Sequence, residues 1–126
     1  MARKPNVLLV DDYEVNLELL EAYLDLSGIP MNLYKAANCA EAYSWIERVN
    51  LDLVLLDVML PDGSGYDVCR SMKATQQYRG IPVVLITALN DKESMLEGLK
   101  SGADEFLTKP VDSHELILRV LYLLKM

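Results

Sequence analysis

The stretch Leu8-Leu9-Val10-Asp11-Asp12-Tyr13-Glu14 decides how this chain is read. An apolar run that begins at Val7 stops abruptly at two adjacent aspartates. Like charges repel and each carboxylate needs solvation, so a buried strand does not ordinarily end this way. The pattern recurs along the chain. Leu53–Leu56 runs into Asp57, Val83–Ile86 into Thr87-Ala88, and the weaker candidate Glu105–Thr108 into Lys109-Pro110. Met31–Ala36 is a further weak strand candidate. Continuous apolar runs without period-two alternation fit strands buried on both faces, as in a parallel sheet.

Helical patterns separate these runs. In Glu14–Ser27, Leu17, Leu20 and Leu24 share one face, and Gly28 is placed to end the helix. Capping-box spacings open four more: Asn38 and Glu41 before Ala40–Val49, Ser64 and Asp67 before Gly65–Lys73, Asn90 and Glu93 before Lys92–Ser101, and Asp112 and Glu115 before the last helix. Gly102 is read as the stop of the fourth helix. Strand and helix thus alternate five times, which implies parallel strands, right-handed crossovers and helices on both faces. The fold class is α/β: a flavodoxin-like doubly wound (βα)5 unit, with a five-stranded parallel sheet of order 2-1-3-4-5.

Composition narrows the function classes. The chain has 126 residues, enough for one domain with a core that needs no staples. Half of it is hydrophobic, which argues against disorder. A net charge of −7 argues against direct binding of nucleic acid, which calls for clustered Lys and Arg. Cys39 and Cys69 have neither metal-site spacing nor a disulfide framework and are read as free thiols in a reducing compartment. The first apolar run is too short for a signal peptide or a membrane span, so no membrane role and a cytoplasmic location are expected.

In doubly wound sheets, ligands bind at the carboxyl ends of the strands. Asp11, Asp12, Asp57, Thr87 and Lys109 all stand at such ends. Crowded carboxylates destabilise one another without a counter-ion. A hard divalent cation removes that penalty, and Mg²⁺ takes oxygen ligands while keeping some waters. A phosphoryl group would suit such a centre, with Lys109 and Thr87 available for its remaining oxygens.

These stretches, "LLVDDYE", "LLDVMLPDGSG", "LITAL" and "DEFLTKP", together resemble the receiver domain of bacterial two-component response regulators. The resemblance covers essentially the whole chain. It implies a single receiver domain over 1–126, with any output domain outside this chain. It implies that Asp57 is the phosphoacceptor, attacking a phosphohistidine on a sensor histidine kinase or histidine phosphotransfer protein. Asp11, Asp12 and Asp57 would hold Mg²⁺, for which Mn²⁺ can substitute, with Met59 lending its backbone carbonyl. Lys109 would pair with the carboxylate and then the phosphoryl oxygen, and Thr87 would donate its hydroxyl. Ala88 would leave room for the phosphoryl group. Phe106 matches an aromatic switch position, and the Lys109–Pro110 bond is expected to be cis. Such a domain is not an enzyme in the usual sense: it catalyses only its own phosphorylation and slow dephosphorylation. One departure stands out. Where the family often reads Pro-Gly-x-x-Gly, this chain reads Pro61-Asp62-Gly63-Ser64-Gly65, with a turn expected to hold Gly63 at positive φ.

Two alternatives share some of these residues. A haloacid dehalogenase-type aspartyl-phosphate phosphatase needs a second carboxylate two residues after the nucleophile. That position is Met59, which transfers no proton. A pseudo-receiver that only binds proteins is opposed by the intact set Asp11, Asp12, Asp57, Thr87 and Lys109. His114, the only histidine, is read as a helix-surface residue and Trp45 as a packing residue. The helix and C-terminal stretches also look similar to receivers that precede cyclic-di-GMP synthesis or hydrolysis domains. Finally, Leu116–Leu124 is apolar nearly all round, with Arg119 as its only charge. This is excess for a helix packed on one sheet face. Two readings stay open: a generous core, with some of these residues covered by a neighbouring helix or by the domain that normally follows, or a partner surface on the fourth helix, fifth strand and fifth helix, biased by phosphorylation and able to form a homodimer.

Overall fold

A computed structural model describes residues 3–126. Five strands, β1 (Asn6–Val10), β2 (Asn32–Ala36), β3 (Leu53–Asp57), β4 (Val83–Thr87) and β5 (Glu105–Thr108), form one parallel sheet. Its order is β2-β1-β3-β4-β5, the flavodoxin-like order expected above. Between and after them run α1 (Glu14–Asp25), α2 (Cys39–Arg48), α3 (Gly65–Ala74), α4 (Lys92–Lys100) and α5 (Ser113–Leu123). Among the described residues no helix is long and apolar enough to cross a membrane.

The apolar runs are continuous because the sheet is covered on both sides. Leu8, Val10, Val54, Leu56, Val83 and Leu85 face a core closed by α2 and α3. Their neighbours Val7, Leu9, Leu53, Leu55, Val84 and Ile86 face a second core closed by α1 and α5. Leu17, Leu20 and Leu24 are the buried stripe of α1, and Leu116 and Val120 that of α5. The period-two rule then sorts the strand ends. Asp57 continues the Leu53–Leu55 side, whereas Thr87 continues the Val83–Leu85 side that Phe106 also faces.

Gly28 and Gly102 end α1 and α4 with φ of 72° and 88°, in the left-handed region glycine favours. The cap readings need correction in three places. Asn38 does accept from Glu41 N at 2.8 Å, but the Glu41 carboxylate reaches one residue further back, to Ala37 N. Ser64 accepts from Tyr66 N, not from Asp67, whose carboxylate is taken by Arg70 at 3.1 Å. Asn90 is not a cap at all: the chain stays in the loop for one more residue, and Asp91 holds the N-cap without a side-chain cap bond. Spacing alone does not say which residue is the last in extended backbone.

The stretch after Asp57 also differs from its reading. Met59–Leu60 and Gly63–Ser64 pair as a small antiparallel hairpin, an addition to the five strand–helix units. Gly63 is not at positive φ. Its need for a missing side chain is one of space, since a β-carbon there would lie 3.2 Å from Cys39 Sγ.

Candidate functional site

The strand ends bring together residues up to 98 positions apart. Asp11 follows β1 and is 2% exposed; Asp57 ends β3 and is 7% exposed; Asp12 beside them is exposed. Each offers a carboxylate oxygen, and these oxygens lie within 4.8 Å of one another. Lys109, just after β5, extends its ammonium between the two buried acids, 2.9 Å from Asp11 Oδ2 and 3.2 Å from Asp57 Oδ2. The Lys109–Pro110 peptide is cis.

Each carboxylate is held from its own side. Asp11 Oδ1 accepts from Tyr13 N at 2.9 Å and Asn16 Nδ2 at 3.3 Å, which ties it to the start of α1. Asp57 Oδ1 accepts from Met59 N at 3.3 Å. The Met59 backbone N–H is thus in contact with the Asp57 carboxylate, while its side chain is 62% exposed. Burial pushes the Asp57 carboxyl above its ordinary pKa; Lys109 pulls it down, Asp11 pushes it up again, and the outcome is a raised value. Burial opposes the charge on Lys109, but its hydrogen bonds and proximity to Asp11 and Asp57 prevail, and its pKa is raised. Three acids against one ammonium leave a site short of positive charge. Oxygen donors, excess negative charge and one exposed member fit a hard divalent cation.

Thr87 is buried at the end of β4, and its Oγ1 accepts from Leu89 N at 3.2 Å. Ala88 beside it is exposed. Phe106 is half-buried against α4, so close that a β-carbon on Gly98 would lie 2.7 Å from its ring. Thr87 and Phe106 therefore flank the sheet on the α3–α4 side, while Asp57 and Lys109 belong to the other register. His114 is fully on the surface, its side chain 94% exposed. Trp45 packs against Tyr34 and Arg48 on α2.

Two residues of the site were not singled out by their chemistry. A β-carbon on Gly65 would run into the carbonyl of Asp57, so only glycine lets α3 start directly under the acid. Asp62 sits at the hairpin tip and accepts from Cys39 N at 2.7 Å and Ala40 N at 3.0 Å, the first turn of α2. No local signal could have found that bond, because its partners are 22 and 23 residues away.

Residues 7–121 match the family of the response regulator receiver domain. The chain belongs to that family. Among curated proteins, this receiver domain is 44% identical to the response regulator PleD of Caulobacter vibrioides over 114 residues, covering 90% of this chain and 25% of PleD. Several transcriptional regulators match over about half their length, 49% for GltR of Pseudomonas aeruginosa at 36% identity. The receiver domain thus spans a quarter to a half of the curated relatives it matches. Among solved structures, a response regulator from Chloroflexus aurantiacus superposes with a TM-score of 0.90 at 30% identity, covering 98% of this chain and all of the other. The DrrB response regulator of Thermotoga maritima gives 0.85 at 32% identity over 98% of this chain and 54% of the other.

Proposed function

We propose that this receiver domain is a phosphorylation-activated switch in which Asp57 takes a phosphoryl group from a phosphohistidine. The donor is a sensor histidine kinase or a histidine phosphotransfer protein. A single observation carries the reading: Lys109 stands between Asp57 and Asp11 at the carboxyl edge of the sheet, within a cluster of three carboxylates. The unit so assigned is one domain over residues 1–126, two of which lie outside the described residues.

The chemistry divides among the residues as follows. An oxygen of the Asp57 carboxylate attacks phosphorus, an O–P bond forms, the P–N bond to the donor imidazole breaks, and that nitrogen retains the electron pair. Asp11, Asp12, Asp57 and the backbone carbonyl of Met59 would hold Mg²⁺, or Mn²⁺ in its place. The bound cation supplies charge neutralisation for the phosphoryl oxygens and for the crowded acids. Lys109 keeps Asp57 oriented beforehand and contacts a phosphoryl oxygen afterwards. Thr87 exchanges its bond with Leu89 N for one to the phosphoryl group, over the space that Ala88 leaves open. Phe106 on the same side of the sheet responds to that movement, which links the site to the α4–β5–α5 surface. The domain carries out its own phosphorylation and slow dephosphorylation and no other turnover, in a cytoplasmic setting that suits its free thiols.

Acetyl phosphate tests the reading directly. Intact-mass measurement is expected to show one added phosphoryl group with Mg²⁺, and none without it or in Asp57→Asn. Equal labelling of Asp57→Asn overturns the assignment.

A further inference from the structure

We propose that Asp62 is a positioning residue for the cation and phosphoryl site: by fastening the tip of the Met59–Ser64 hairpin to α2, it holds the Met59 backbone beside Asp57. This rests on the phosphoacceptor reading and identifies what keeps one of its parts still.

The hairpin has two residues in each strand, with Met59 opposite Ser64 and Leu60 opposite Gly63. A two-stranded ribbon this short does not hold its shape in water unaided. Its base is fastened at Gly65, whose N–H donates to Val58 O at 2.8 Å and whose α-carbon abuts the Asp57 carbonyl. Its tip is fastened by Asp62, through one carboxylate oxygen to each of Cys39 N and Ala40 N. The close approach of Gly63 to Cys39 Sγ brings the tip into contact with the same turn. A carboxylate at a helix N-terminus is favoured by both free amides and the helix dipole. Those two amides hold the Asp62 carboxyl below its ordinary pKa, so it is charged at neutral pH.

The contact is not needed merely to cap α2. Asn38 already does so from within the segment, accepting from Glu41 N. Asp62 instead joins two elements distant in the chain, and Met59 lies on the span between its anchor and Asp57.

Calorimetric titration of the full chain with Mg²⁺ alone tests the proposal, using Asp62→Ala, Asp62→Asn and Asn38→Ala. Asp62→Ala is expected to weaken Mg²⁺ binding about tenfold, the lower end of what loss of a ligand-supporting residue does. Asp62→Asn keeps one acceptor oxygen and is expected to fall between it and the unsubstituted protein. Asn38→Ala weakens the cap of α2 without touching the hairpin and is expected to bind Mg²⁺ normally. Thermal melts without Mg²⁺ establish that each variant is folded; should Asp62→Ala fail to fold, Asp62→Asn decides. Unchanged affinity in the folded Asp62 variants overturns the positioning role and leaves the phosphoacceptor reading standing. An equal loss in Asn38→Ala overturns it too, since α2 stability would then be the cause. Failure of the unsubstituted protein to bind Mg²⁺ overturns both.

Discussion

The ammonium of Lys109 lies 3.2 Å from Asp57 and closes a contact between residues 52 positions apart. It does not neutralise the site. Burial and the neighbouring Asp11 still leave the Asp57 carboxyl with a raised pKa, so its charged form is disfavoured by the fold. The site is arranged for reaction at some cost to stability.

Asp57→Asn is therefore expected to stabilise the cation-free protein at neutral pH. The native pKa of Asp57 lies above the ordinary 3.8, so the folded state binds more protons than the unfolded state in the window between the two values. Stability is then lost as pH rises through that window, and the amide avoids the loss. Melts at pH 7.5 are expected to show a higher melting temperature for Asp57→Asn than for the unsubstituted protein. The gain is expected to shrink as the pH falls towards 3.8. A gain of the same size at both ends of the range would contradict the linkage.

Gly65→Ala is expected to cost about 3 kcal/mol, at the upper end for overpacking, because the β-carbon meets the Asp57 carbonyl, which is backbone and yields little. Denaturant unfolding measures the loss. Phosphorylation from acetyl phosphate is expected to fall with it, since relief of the clash moves Asp57. Gly80→Ala is the control: space around that glycine is open.

Loss of phosphate from Asp57 needs a water held in line with the O–P bond. Met59, largely exposed, and Leu89, partly buried, stand two residues beyond Asp57 and Thr87. Neither side chain hydrogen-bonds a water, and both obstruct it. Met59→Asn and Met59→Glu are expected to shorten the lifetime of the labelled protein severalfold, as followed by intact mass after removal of acetyl phosphate. An unchanged or longer lifetime would count against a gating role for Met59.

Both of the α5 residues Leu118 and Tyr122 are exposed, at 67% and 74%. Met95, Leu96 and Leu99 on α4 are exposed as well, and Gly98 is the buried residue of that helix. Weak self-association, strengthened by beryllofluoride, is expected. Sedimentation velocity with and without the complex measures it, and Leu118→Glu is expected to abolish the shift. A monomer in both states over a wide concentration range would exclude this domain by itself as the dimerising unit.

Much of the architecture was legible because the physics behind it is local. An apolar run of four residues bounded by helical patterns is too short for a helix and fits a strand buried on both faces, and alternation with helices points to a parallel, doubly wound sheet. The stripe of Leu17, Leu20 and Leu24 and the stop at Gly28 follow from helical period and from the residue type that adopts positive φ most readily. Helix starts were less legible. Asn90 has the right spacing and the wrong place, because capping depends on where the backbone leaves its extended form.

What the sequence determined by itself was which residues would stand at the carboxyl edge: Asp11, Asp12, Asp57, Thr87 and Lys109 each end or follow an apolar run. Tertiary structure decided how they are shared out. The pleat sends Asp57 and Lys109 to one register and Thr87 to the other, so the acid–ammonium contact and the hydroxyl lie on different sides of the same edge. It also decided the purpose of the stretch after Asp57. Gly63 looked like a turn former at positive φ, yet its φ is not positive and a β-carbon there would press on Cys39 Sγ at 3.2 Å, while a β-carbon on Gly65 would run into the Asp57 carbonyl. Asp62 looked like a turn residue and instead reaches α2. Close approach and long-range hydrogen bonds depend on where distant segments meet, and a pattern of neighbours along the chain carries no record of that.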